Sequence, residues 1–161
     1  GEITPEHIAV WIDQIEALPG QLHTAVSGLS EEQLNTPYRP GGWTVRQVVH
    51  HIGDSHMNSL VRFKWALTED VPTIKAYNQD GWAGLADYRD VPLETSLTFL
   101  KVLHVRLGTL LRSLDEVDLA RRFIHPDSGP TTLARTIGMY AWHGRHHVVH
   151  ITDLKKREGW A

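Results

Sequence analysis

The sequence predicts an all-α chain folded as a four-helix bundle with one long irregular crossover. Three observations carry this prediction. Apolar residues recur three and four positions apart in four long stretches, and no stretch alternates over the length a strand would need. A length of 161 residues, 41% of them hydrophobic and 22% charged, suits one domain (1–161) built around one core.

Taken in order, the first helix opens at Thr4-Pro5, where Thr4 can cap orphan N–H groups and Pro5 loses nothing by lacking one. Ile8, Trp11, Ile12, Ile15 and Leu18 give its apolar face. Pro19-Gly20 is expected to interrupt or kink it before Leu22, Ala25, Val26 and Leu29 resume the face. Ser30-Glu31-Glu32-Gln33 reads as a cap and a short helical turn, ended by Pro37. After the turn at Pro40-Gly41-Gly42, Thr44 and Gln47 stand at capping-box spacing. The second long helix then carries Val45, Val48, Val49, Ile52, His56, Met57 and Leu60, and runs on through Phe63 and Leu67. Gly53 lowers its propensity and leaves room for a neighbouring helix or a ligand.

Residues 69–92 are broken by Pro72, Asn78, Gly81, Gly84 and Pro92, with Trp82, Leu85 and Tyr88 as apolar anchors. They read as an irregular, packed crossover able to wall a site. A third helix is expected over Leu93 to Leu114, with Leu97, Leu100, His104, Leu107 and Leu111 near one stripe. Asp118 to Gly129 reads as a loop with a turn at 125–129. Thr131 or Thr132 can cap the fourth helix, which passes through Ile137, Tyr140, His143, His147, Ile151 and Leu154.

Composition narrows the function. A formal charge of −3, from 16 Lys and Arg against 19 Asp and Glu, argues against a nucleic-acid partner. No apolar run is long enough to span a bilayer, and no basic segment precedes an apolar one at the N-terminus, so a cytoplasmic protein without a membrane partner is expected. Cysteine is absent, which leaves other side chains to bind any metal or act as any nucleophile.

Histidine is the enriched residue: 11 in the chain, with seven of them inside 50–56 and 143–150. His143 and His147 lie four apart on a helix, so their rings emerge on one face a turn apart. Two neutral imidazoles so placed can share a divalent ion, and catalytic zinc sites commonly use three protein ligands with one position open. The pair shares a broad face with Met139, Ile151 and Leu154, which points it inward. A third ligand can come from the second helix. Periodicity leaves both His50 and His51 open there, with His51 favoured beside Ile52 and one turn after Val48.

His56 and His150 read as pocket residues, His150 also as a substitute ligand, and His146 as a surface residue. Asp54 and Asp153 are positioned to receive an imidazole N–H. His104 and His125 are given no role, and Trp43 and Trp142 are candidate walls. His143 is followed by Gly144, so the HExxH arrangement with its adjacent glutamate base is absent. No glycine-rich nucleotide loop or serine-nucleophile motif is present either.

The chain resembles the DinB/YfiT-like family of metal-dependent bundle proteins. The likeness is carried by TPYRPGGWTVRQVVHHIGDSHMNSLVRFKWALTED at 36–70, by IGMYAWHGRHHVVHI at 137–151, and by SGLSEEQLNTPYR ending at Arg39. The resemblance implies a four-helix bundle in which three histidines hold zinc or nickel. It matches His51 to the histidine of the second helix, and His143 and His147 to the C-terminal HxxxH. It further implies a metal-dependent hydrolase that activates water, or alternatively a thiol S-transferase using a low-molecular-weight thiol such as bacillithiol. A small-molecule substrate and a homodimer are implied as well. The family's frequent HRGQ-like ending is replaced here by His147-Val148-Val149-His150. No general base is assigned; His56, His150 and Asp54 are the candidates. A non-enzymatic metal- or small-molecule-binding module is the remaining reading.

Overall fold

A computed structural model describes residues 1–160. Four long helices form the bundle: α1 (Pro5–Val26), α3 (Val45–Thr68), α6 (Leu93–Arg112) and α8 (Leu133–Glu158). Short elements fill the connections: α2 (Glu31–Leu34), α4 (Gln79–Ala83), α5 (Ala86–Asp90), α7 (Glu116–Ala120), and the strands β1 (Arg122–His125) and β2 (Gly129–Thr132).

The caps follow from sequence. Thr4, Ser30, Thr44 and Thr132 accept backbone N–H groups at the starts of α1, α2, α3 and α8. Thr44 and Gln47 form the reciprocal capping box expected of them. Gly159 closes α8 in the left-handed conformation, at φ 69°.

Helix α1 continues through Pro19, with Leu18 and Leu22 on either side sealed in the core. The crossover is irregular as expected and carries two short helices: Asn78 caps α4, and α5 buries Tyr88. One expectation is corrected, the loop over 118–129. The segment 118–129 holds the end of α7 and the strand β1, which pairs antiparallel with β2. Residues 72–74 lie against β1, with Ile74 N donating to Ile124 O at 2.9 Å and Ile124 N to Pro72 O at 2.8 Å. That contact places the crossover next to the hairpin.

Helix α1 packs on α6 and α8, and α3 packs on the same two helices. Successive long helices α1 and α3 therefore sit diagonally, as do α6 and α8, and simple up-down order is excluded. The apolar core divides in two. One half gathers Ile8, Ile12, Ile15, Phe63, Leu107, Leu111, Leu133 and Ile137; the other gathers Leu18, Leu22, Val45, Val48, Ile52, Leu100, Ile151 and Leu154. On every long helix the two halves meet at mid-length. There α3 supplies Ser55, His56 and Ser59, α6 supplies His104, and α8 supplies His143 and His147. The bundle thus carries a polar layer across its middle.

Candidate metal centre

The layer brings together the three histidines singled out from sequence. His51 Nε2 lies 3.3 Å from His143 Nε2, and His147 Nε2 lies 3.1 Å from the same atom. One ring nitrogen from each residue falls within 4.8 Å of the others. His50, the alternative to His51, turns away and meets Ser96 Oγ at 2.6 Å. The one-residue step along α3 carries it about 100° round the helix, to the α6 side.

This donor set fits a divalent ion. Each neutral imidazole has a single in-plane lone pair, so His143 Nε2 can satisfy one of its two close nitrogen neighbours by a hydrogen bond but not both. A cation facing all three lone pairs removes that conflict. Tetrahedral zinc with bonds of about 2.0–2.1 Å would separate its ligand nitrogens by about 3.3 Å, close to the contacts seen. Burial, reinforced by the neighbouring imidazoles, pushes all three rings down to about 3. They are therefore neutral, with lone pairs available, at any pH near 7. Behind the ligating face, the three Nδ1 atoms are buried without a protein partner. Packing orients the rings instead: Trp43 lies 4.5 Å from His51, centroid to centroid, and is tied to the crossover through Asp80.

A second cluster adjoins the first. His104 Nδ1 meets the Leu100 carbonyl at 2.7 Å, which can only accept, so the proton sits on that nitrogen. Burial lowers the His104 pKa and keeps the ring neutral, leaving Nε2 as an acceptor. His56 Nδ1, 2.9 Å away, must then donate to it. The His56 Nε2 lone pair is consequently free, in a fully buried ring 5.8 Å from His143 and 5.4 Å from Tyr140. Sequence reasoning passed over His104, although its place between Leu100 and Leu107 on an apolar stripe was a signal.

The other candidates lie further out. Asp54 accepts from Tyr88 Oη at 2.6 Å, and burial raises the pKa of both groups; Tyr88 packs against His50, 5.5 Å ring to ring, so Asp54 is engaged outside the trio. His150 stacks on Tyr38 at 4.4 Å and packs edge-on to His146, 5.6 Å from His147. Asp153 is exposed. Met139 and Trp142, expected inside or as a wall, are 46% and 53% exposed, and Trp142 stacks on His146. Arg62, Tyr77 and Tyr140 were not singled out. They line a pocket of about 570 Å³ that reaches His143.

Comparison with known proteins places the family and the fold. The model of the DinB superfamily matches residues 14–151. A Bacillus cereus protein named, by inference, a metal-dependent hydrolase is 57% identical over 158 residues, covering 98% of this chain and 91% of its own length. Bacillus anthracis proteins similarly named align to the same extent. Among solved structures, YfiT from Bacillus subtilis, described as an inferred metal-dependent hydrolase with an unusual four-helix bundle topology, superposes with a TM-score of 0.97. The identity is 46%, and the match covers 99% of this chain and 92% of that one. A mycothiol-dependent maleylpyruvate isomerase shares the fold at a TM-score of 0.71 and 13% identity, over 89% of this chain and 60% of its own.

Proposed function

The chain belongs to the DinB superfamily, and on that premise we propose that it is a metal-dependent hydrolase whose divalent ion is held by His51, His143 and His147. The observation that carries the reading is that ring nitrogens of three neutral, buried or half-buried imidazoles from two helices lie within 4.8 Å of one another. An all-imidazole set suits zinc or nickel better than magnesium or calcium, which favour oxygen ligands. Such an ion supplies Lewis acidity and water of lowered pKa.

The chain's own residues supply the rest. The relay from the Leu100 carbonyl through His104 holds His56 with its Nε2 lone pair free inside the layer. Burial and the neighbouring imidazoles hold the His56 pKa well below the usual imidazole range, so His56 serves there as a neutral hydrogen-bond acceptor, while His150 stacks outside the trio and Asp54 is engaged by Tyr88. Trp43 covers His51 and restricts water on that side.

A thiol S-transfer with a low-molecular-weight thiol is the second reading. It draws support from the absence of cysteine, which leaves any thiol to come from the cosubstrate, and from the shared fold of the mycothiol-dependent isomerase. Turnover of esters and amides compared with thiol transfer separates the two. We assign the protein to the cytoplasm and to a homodimer within the same proposal. The dimer is supported by an exposed stripe on α3, where Met57, Val61 and Trp65 follow at one-turn spacing.

Metal content of tag-free protein, purified without added metal, tests the centre alongside a His143→Ala/His147→Ala variant. About one divalent ion per chain, lost in the variant while helical content persists, is the expected result. A folded wild type that takes up neither zinc nor nickel when offered would refute the centre.

A further inference from the structure

We propose that the pocket beside the histidine layer binds a substrate bearing a compact oxyanion, a carboxylate or phosphate, anchored by Arg62. The proposal deepens the reading above by giving the substrate its charge, and rests on that reading for where the chemistry occurs.

Arg62 is only 9% exposed. Its guanidinium donates to the Lys75 carbonyl at 3.1 Å and to Tyr140 Oη at 3.4 Å. Among the described residues no carboxylate reaches it, whereas acidic partners meet Arg46, Arg89 and Arg112. A guanidinium stays charged at any working pH, and buried charges are ordinarily paired. Two of its five N–H donors are engaged by neutral oxygens, which leaves a fork suited to bidentate contact with an oxyanion.

The position of that fork matters. Arg62 continues the stripe of α3 that begins at His51 and passes through Ser55 and Ser59, each step three or four residues. Its partner Tyr140 lies 6.2 Å from His143, ring to ring. The pocket that contains the guanidinium also contains Ser55, Tyr77, Tyr140 and His143, and its volume of about 570 Å³ suits a small molecule. Burial raises the pKa of both tyrosines, Tyr77 to about 12, so their hydroxyls keep their protons and can donate. The rim carries one charge of each sign, Arg135 and Asp127, so the preference for an anion comes from Arg62. A substrate held this way has its charged end on Arg62 and the rest of its length directed along the pocket toward His143.

Binding of two probes, propionate and inorganic phosphate, tests the assignment by the shift of the Arg62 side-chain N–H resonance and by calorimetry. Wild type as purified is compared with Arg62→Gln, Arg62→Lys and His143→Ala/His147→Ala, with metal content measured on every sample. The expected result is binding of at least one probe, with the resonance of Arg62 moving. Affinity falls at least tenfold in Arg62→Gln, recovers partly in Arg62→Lys, and persists in the double histidine variant. Which probe binds tells carboxylate from phosphate. Should Arg62→Gln fail to fold, the Arg62 resonance in the wild type and the weakened Arg62→Lys binding still decide the matter. An unmoved Arg62 resonance, or binding lost in the double histidine variant but kept in Arg62→Gln, overturns the proposal. Neither of those results touches the metal centre, which fails separately if the wild type holds no ion while Arg62 still binds the probe.

Discussion

His51, His143 and His147 are held at about 3 by burial and by one another, well below the usual imidazole range near 6.5. The consequence for stability has a definite sign. Between about pH 3 and 6.5 the unfolded chain binds more protons than the folded one, so stability in this window falls as the pH falls. Near pH 5.5 each such histidine costs up to about 1.4 kcal/mol. Metal-stripped wild type should therefore lose up to about 2.8 kcal/mol more than a His143→Asn/His147→Asn variant when urea unfolding at pH 7.5 and 5.5 is compared. Equal losses would place the acid sensitivity elsewhere. The trio was legible in the sequence because two of its members share a helical face and the third lies in the other histidine-rich helix. Arg62 and His104 were not, since a single polar residue on an apolar stripe declares its role only when the neighbours that bury it are known.

Capped helix starts were readable because each depends on residues three apart along the chain. The path through Pro19 and the pairing of β1 with residues 72–74 were not, because packing and contacts distant in sequence decide them. Glycines show the same dependence. Both Gly53 and Gly144 weaken a helix next to a proposed ligand, but their surroundings differ. A Cβ at Gly53 would meet Phe99 at 3.5 Å, an ordinary contact, whereas at Gly144 it would come within 2.7 Å of Leu18 Cδ2, a side chain sealed between α1 and α8. Gly53→Ala should gain roughly 0.5–1 kcal/mol from helix propensity. Gly144→Ala gains the same but incurs overpacking of about 1–3 kcal/mol, for an expected net loss of about 1 kcal/mol. Because Gly144 adjoins His143, the second variant should also bind metal less tightly. Chemical denaturation with metal titration checks both, and a stabilised Gly144→Ala would show that α1 yields to α8.

At the scale of the molecule, the polar layer separates two apolar half-cores, each spanning all four long helices. If the histidines served chiefly to hold the bundle together, stripping the ion would unfold it, as in small domains that lack a core of their own. Here Leu22, Val48 and Leu100 on one side and Ile15, Phe63 and Leu107 on the other are sealed without reference to the layer. The metal-free chain should therefore keep its helical content, and also the mass of the proposed dimer in light scattering, since the exposed stripe of α3 assigned to it lies outside the layer. An ion that binds the folded form alone still stabilises it by linkage, about 2.7 kcal/mol at a hundredfold excess over Kd. For a chain of this size that corresponds to a rise in Tm of roughly 5–10 °C. The expected outcome is thus a folded apo protein, retaining the proposed dimer, whose Tm climbs with zinc or nickel, and climbs no further in the double histidine variant than in buffer. Dissociation or unfolding on chelation would instead make the ion a structural brace, and would leave Arg62 and His56 as the residues through which an activity must be sought.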